Sequence, residues 1–111
     1  MIETKNLSKI YNPGKFEVKA VNNISTLFKE GEFTSVVGQS GSGKTTFLNC
    51  VGGLDQPTSG EVIISGENIT KLSGSKIINY RLNNIGFVFQ AYNLIPVLSA
   101  KENIEMIMLL Q

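Results

Sequence analysis

The chain has 111 residues, enough for one compact domain and too few for two. Ten basic residues against nine acidic ones leave a net charge of +1, and without a basic run that balance argues against a nucleic-acid binder working by phosphate neutralisation. There is no histidine, which excludes a Ser-His-Asp triad and a His-ligated metal, and the single Cys50 leaves no intrachain disulfide, as suits a reducing compartment.

The start, Met1 to Lys5, lacks the long apolar stretch of a signal peptide, and the longest apolar run, Met106 to Leu110, is too short to span a bilayer. A soluble, cytoplasmic protein is the expectation. Ile2, Thr4, Leu7, Ile10 and Tyr11 read as strand, ending at the turn Asn12-Pro13-Gly14. Phe16, Val18 and Ala20 alternate with Glu17 and Lys19, the period of a half-buried strand. Ile24 to Phe28 predicts a further strand before the turn Glu30-Gly31-Glu32, and hairpin-like, antiparallel connections are expected throughout this third.

Phe33 to Val37 is a nearly unbroken apolar run, the habit of a strand buried on both faces. It feeds a Gly/Ser-rich loop and then an apolar helix from Lys44 to about Val51, closed by Gly52-Gly53. Cys50 in that helix reads as a small buried hydrophobe. After the turn cluster Asp55 to Gly60, Glu61 to Ile64 returns as strand, and a polar helix is predicted over 74–82. Ile85 to Phe89 is a second run of the buried-strand type, ending at Gln90. Ser99-Ala100-Lys101-Glu102 has the spacing of a capping box and opens a last helix, in which Met106 and Met108 read as packing residues. That helix reaches Gln111 with no stop signal, which reads as a truncation.

The informative segment is Gly38-Gln39-Ser40-Gly41-Ser42-Gly43-Lys44-Thr45, a full match to G-x-x-x-x-G-K-[ST]. At ordinary glycine frequency the pattern arises by accident in fewer than about 1% of chains this long. Gly41 and Gly43 let the backbone take positive φ and approach phosphate closely, so that successive N–H groups form an anion nest. The helix beginning at Lys44 turns its positive dipole end to the same point. Lys44 is expected to reach the β- and γ-phosphates of a nucleotide and the Thr45 hydroxyl to ligate Mg²⁺.

The loop alone does not choose among phosphate-loop proteins. Its surroundings do: Tyr11 upstream, Gly53-Leu54-Asp55, Pro57-Thr58-Ser59-Gly60, Gly86-Phe87-Val88-Phe89-Gln90, Asn93-Leu94-Ile95-Pro96 and Glu102-Asn103. With these the sequence resembles the nucleotide-binding subunit of ATP-binding-cassette transporters over its whole length, and within them the exporters of macrolides, antimicrobial peptides and lipoproteins. The resemblance implies an α/β phosphate-loop fold, with an antiparallel β subdomain beside an incomplete parallel-sheet core. Residues 1–111 would be the N-terminal part of one such domain. It implies ATP and Mg²⁺ as cofactors, with Tyr11 and Val18 on the adenine side. Gly38, Ser40, Gly41, Ser42, Gly43, Lys44, Thr45 and Thr46 would bind the phosphates. Lys44 and Gln90 would act in catalysis, and Thr45 and Gln90 on the metal. The partners implied are a membrane permease, which would hold the protein on the inner face of the membrane, and a second ATP-binding subunit in a head-to-tail dimer.

The family's signature motif, the strand ending Asp-Glu and the histidine that completes its site are not in this sequence. Leu72-Ser73-Gly74-Ser75-Lys76 lies before Gln90 rather than after it and reads as a turn into a helix. ATP binding with little or no turnover is therefore expected of these residues alone. A phosphate-loop kinase, the rival reading, needs lid arginines, and Arg81 is the one arginine present. A division-type cassette protein shares much of the same wording.

Overall fold

A computed structural model describes residues 1–109, and within them four antiparallel strands form one sheet in the order β2-β1-β3-β4. The strands are β1 (Ile2–Tyr11), β2 (Val18–Phe28), β3 (Ser59–Ile64) and β4 (Glu67–Asn68). Helix α1 (Lys44–Val51) follows the phosphate loop, a 3₁₀ turn covers Ile69–Lys71, and helices α2 (Ser75–Asn84) and α3 (Ala100–Leu109) complete the fold. The continuation expected for the last helix through Leu110 and Gln111 lies outside the described residues.

The core sits between the sheet and α1. Leu7, Val21 and Val62 from three strands meet Phe47 and Cys50 from the helix and Ile69 from the 3₁₀ turn, with Phe28 and Val51 packed at the margin. Phe47, Cys50 and Val51 are spaced i, i+3, i+4, so the eight-residue helix turns one apolar stripe to the sheet. It ends in a Schellman motif: the Leu54 N–H donates to Asn49 O at 2.8 Å, the Gly53 N–H to Cys50 O at 3.1 Å, and Gly53 has φ 67°.

β1 and β2 are each interrupted by an asparagine in the left-handed region, Asn6 at φ 47° and Asn23 at φ 51°. The Asn6 N–H donates to Ser25 Oγ and the Asn23 N–H to Ser8 Oγ, both at 2.8 Å, so each irregular N–H is satisfied by a serine of the facing strand. The register shifts between Thr4 and Leu7 and again beyond Leu7. For this reason Thr4 and Leu7, three residues apart, both point into the core. The buried Thr4 hydroxyl donates to Ile24 O and accepts from the Thr26 N–H.

Three expectations need correction. Phe16, Val18 and Ala20 do not form the buried face of a strand. β2 starts at Val18 and continues through the irregularity at Asn23 to Phe28, and Val21, on the opposite parity, is the core residue. Neither Phe33–Val37 nor Ile85–Phe89 is a strand, because a ladder needs a neighbour about 4.8 Å away and neither run has one among the described residues. Phe33 is 97% exposed and Val88 is bare. Met106 and Met108 are surface residues, for α3 buries none of its side chains. The capping box does form, with the Ser99 N–H on Glu102 Oε2 at 2.7 Å and the Glu102 N–H on Ser99 Oγ at 3.3 Å. The turn at Leu72 to Gly74 leads into α2 as expected.

Two uncovered apolar runs and an uncovered helix predict self-association at micromolar to millimolar concentrations. Light scattering across a concentration series is expected to give a mass that rises above 12.1 kDa. A constant monomer mass would contradict this.

Candidate functional site

The phosphate loop is the turn between the uncovered run 33–37 and α1. Gly41 and Gly43 take the positive φ their roles require, 77° and 93°. Gly43 is the N-cap of α1, and it lies so close to β2 that a Cβ there would stand 1.9 Å from the Ala20 carbonyl oxygen. Only glycine lets the loop meet the strand backbone at this point. The helix start has no side-chain cap and no acidic residue in its first turn, so its first N–H groups have no side-chain acceptor. That is the electrostatic arrangement an anion fits.

Lys44 folds back over the loop. Its Nζ donates to Gly38 O at 2.8 Å, to Gln39 O at 2.7 Å and to Ser42 Oγ at 3.4 Å, engaging all three donors. The Ser42 N–H donates to Gln39 O at 3.2 Å and tightens the same turn. The cation is thereby held above the nest rather than left free in solvent. Ser40 and Thr45 are exposed, and Thr46 is half-buried.

Thr45 and Gln90 come together on the wall of one cavity of about 550 Å³, between α1 and the segment 84–90, with Ile2 and Ile64 contributing from the paired ends of the inner strands β1 and β3. Gly52 makes this possible. A Cβ there would stand 2.5 Å from the Phe87 ring, so the missing side chain lets that ring, itself stacked on Phe89 at 5.9 Å, lie against the helix. A hydroxyl and an amide oxygen are hard oxygen donors, the ligand type that Mg²⁺ takes alongside substrate phosphates and water. Among the described residues no cluster of three His, Cys, Asp or Glu could hold a metal by itself.

Tyr11 closes β1 and stands opposite Val18 in the register, two residues along β2 from the Ala20 contact with the loop. The Tyr11 hydroxyl donates to Asp55 Oδ2 at 2.9 Å, and Lys9 Nζ stands 5.1 Å from its ring centroid. Lys9 in turn donates to Asp55 Oδ1 and to Gln56 O, each at 2.7 Å. The Lys9 hydrogen bond holds the Asp55 carboxyl below its ordinary value, and Asp55 raises Lys9 above its own. Asp55 entered the sequence reading only within Gly53-Leu54-Asp55 and the turn cluster up to Gly60, with no role of its own, and Lys9 was not singled out. The available signal was two residues at strand spacing, Lys9 and Tyr11, and the acid in the turn after α1. Arg81 donates to Gly53 O at 2.9 Å, so the lone arginine caps the far end of α1 and is not at the phosphate loop.

A protein-family model described as ABC transporter matches residues 21–110. The chain is 47% identical over 106 residues to the ABC transporter ATP-binding protein MJ0796 of Methanocaldococcus jannaschii, covering 96% of this chain and 45% of that protein. It is 43% identical over 105 residues to the macrolide export ATP-binding/permease protein MacB of Hyphomonas neptunium, covering 95% of this chain and 16% of that one. Two dimeric structures of MJ0796, one of them a post-hydrolysis state bound to ADP and Pi, match with a TM-score of 0.90 at 44% and 45% identity, over 99% of this chain and 47% of theirs. The chain thus spans less than half the length of these relatives.

The lowered Asp55 carboxyl makes the contact with Lys9 pH-dependent. Unfolded Asp55 binds its proton more readily than folded Asp55, so the contribution is present above the ordinary value of 3.8 and is lost as pH falls below it. On the alkaline side the raised Lys9 keeps the pair intact to beyond 10.5. Wild type is expected to melt higher than Asp55→Asn at neutral pH, with the gap closing in acid below 3.8. A gap that persists unchanged into strong acid would contradict the ion-pair origin.

Proposed function

The chain belongs to the ABC transporter family, and from that membership we propose that it binds Mg-ATP as the ATP-binding part of a transport ATPase driving export through a membrane permease. The observation that carries the reading is the phosphate loop itself: an uncapped helix start, two positive-φ glycines, and Lys44 held across the turn. The N–H groups from Gly41 to Thr46 would receive the phosphate oxygens. Lys44 would exchange a carbonyl contact for the β- and γ-phosphates. Thr45 and Gln90 would hold Mg²⁺, which when bound spreads the charge that develops on the transferred phosphoryl group. Tyr11, with Val18 beside it, would take the adenine.

Export as the direction of transport is supported by relatives whose names carry it, MacB and the pyoverdine export protein PvdT of Pseudomonas fluorescens. Among the described residues no helix is long and apolar enough to cross a membrane. The dimeric MJ0796 structures support a second ATP-binding subunit as the other partner. The position of Arg81 at the far end of α1 weighs against a kinase, which needs arginines over the phosphates.

Phosphoryl transfer depends on positioning and charge stabilisation around the whole transferred group. These residues supply the phosphate side of that arrangement, and the sequence holds no histidine and no Asp-Glu strand end to complete it. The chain is therefore expected to bind ATP without multiple turnovers. Calorimetric titration with Mg-ATP is expected to give binding that Lys44→Ala weakens at least about tenfold, the loss of one charge-assisted contact of roughly 1.5–3 kcal/mol. Equal binding by both proteins would contradict the proposed role of the loop. Sustained phosphate release by the wild-type chain would contradict the proposed lack of turnover.

A further inference from the structure

We propose that Lys9 and Asp55 are positioning residues for the base end of the nucleotide site, their ion pair fixing the Tyr11 ring in the plane that receives a purine. The inference rests on the ATP-binding reading above and extends it from the phosphates to the base.

Tyr11 is the last residue of β1, next to a turn in which Asn12 and Gly14 both take positive φ. A half-exposed aromatic ring at such a place has several rotamers open to it, and a mobile ring is a poor stacking platform, because each binding event must order it. Two contacts remove that freedom. The phenol O–H donates to Asp55 Oδ2 at 2.9 Å, which fixes the far end of the ring. The Lys9 ammonium stands 5.1 Å from the ring centroid, within the distance at which a cation is attracted to an aromatic face. Lys9 and Tyr11 are two apart along the strand and so share one side of the sheet.

The ammonium is itself positioned. Asp55 Oδ1 and Gln56 O each accept from it at 2.7 Å, and 15% of the Lys9 side chain remains exposed. Asp55 uses its two oxygens separately, one on the cation and one on the phenol. Its backbone is tied down too, for the Asp55 N–H donates to Asn49 O of α1 at 3.1 Å. The helix whose first turn forms the phosphate loop therefore carries, at its other end, the residue that orients Tyr11. An ion pair serving only to staple β1 to the turn would need neither the phenol contact nor the ammonium over the ring.

The test separates base from phosphates by using Mg-ATP and inorganic tripolyphosphate as two probes on the same chain. Lys9→Met and Tyr11→Phe are each expected to weaken ATP binding about fivefold, the size of one cation–π contact or one neutral hydrogen bond. Both are expected to leave tripolyphosphate affinity within about twofold, as a preserved phosphate loop requires. In a Tyr11→Ala background Lys9→Met is expected to change nothing further, since there is no ring left to position. Tyr11→Phe leaves the Lys9–Asp55 pair intact and so reads the phenol contact without disturbing the strand. Equal losses for both probes, or a Lys9→Met effect that survives in Tyr11→Ala, would overturn the inference and leave the pair a structural staple. If Tyr11→Ala binds ATP as wild type does, the inference fails while the phosphate reading stands. If wild type binds neither probe, the phosphate reading fails and takes the inference with it.

Discussion

The phosphate loop is anchored where two backbones touch, Gly43 against the carbonyl of Ala20. Nothing larger than a hydrogen on that Cα could stand there, and Gly43 must also take a φ of 93° to start α1. The contact fixes the loop to β2, and the core residues Phe47 and Cys50 then fix the helix to the sheet. With both held, the N–H groups at the helix start have a defined direction. The chemistry proposed for Lys44 and Thr45 depends on that direction more than on either side chain, because oriented dipoles act without reorganising when charge arrives.

The two loops that carry the candidate site hang from the two apolar runs that pair with no strand among the described residues. Gly38 follows 33–37, and Gln90 follows 85–89. Gly52 leaves room for the Phe87 ring against α1, and Gln90 follows on the wall of the cavity shared with Thr45. Past Gln90, the side-chain amide of Asn103 accepts from the Ile95 N–H and donates to the carbonyls of Ile95, Leu98 and Ser99, which ties the following loop to α3. The phosphate end is thus built on the packed sheet and helix, whereas the Gln90 end lies between the Phe87 ring against α1 and the Asn103 clasp.

Much of this was legible in the sequence where local rules govern. Gly38 to Thr45 specified its loop and helix because each glycine and the lysine has a fixed geometric duty. Gly52-Gly53 and Ser99–Glu102 ended and began helices as their spacing requires. Where neighbours decide, the sequence misled. The apolar composition of Phe33–Val37 and Ile85–Phe89 reports burial, and burial needs a covering layer that the described residues do not contain. The period of two at Phe16–Ala20 failed because the register shifts between Lys9 and Ile10, where β2 passes from Val21 to Lys19, and Val21 is the residue that turns inward. The Lys9–Asp55–Tyr11 contact was invisible because it joins residues 44 and 46 positions apart through a turn whose path only the fold reveals.

The most direct test of the account is a nitrogen-15 NMR titration of the chain with Mg-ATP, following every backbone amide. The account predicts that the largest shifts fall on the amides of Gly41 to Thr46, with a second group at Tyr11 and Val18, the two joined only through β2 and α1. Saturation with no change at the Gly41–Thr46 amides, or shifts confined to a different surface, would contradict it.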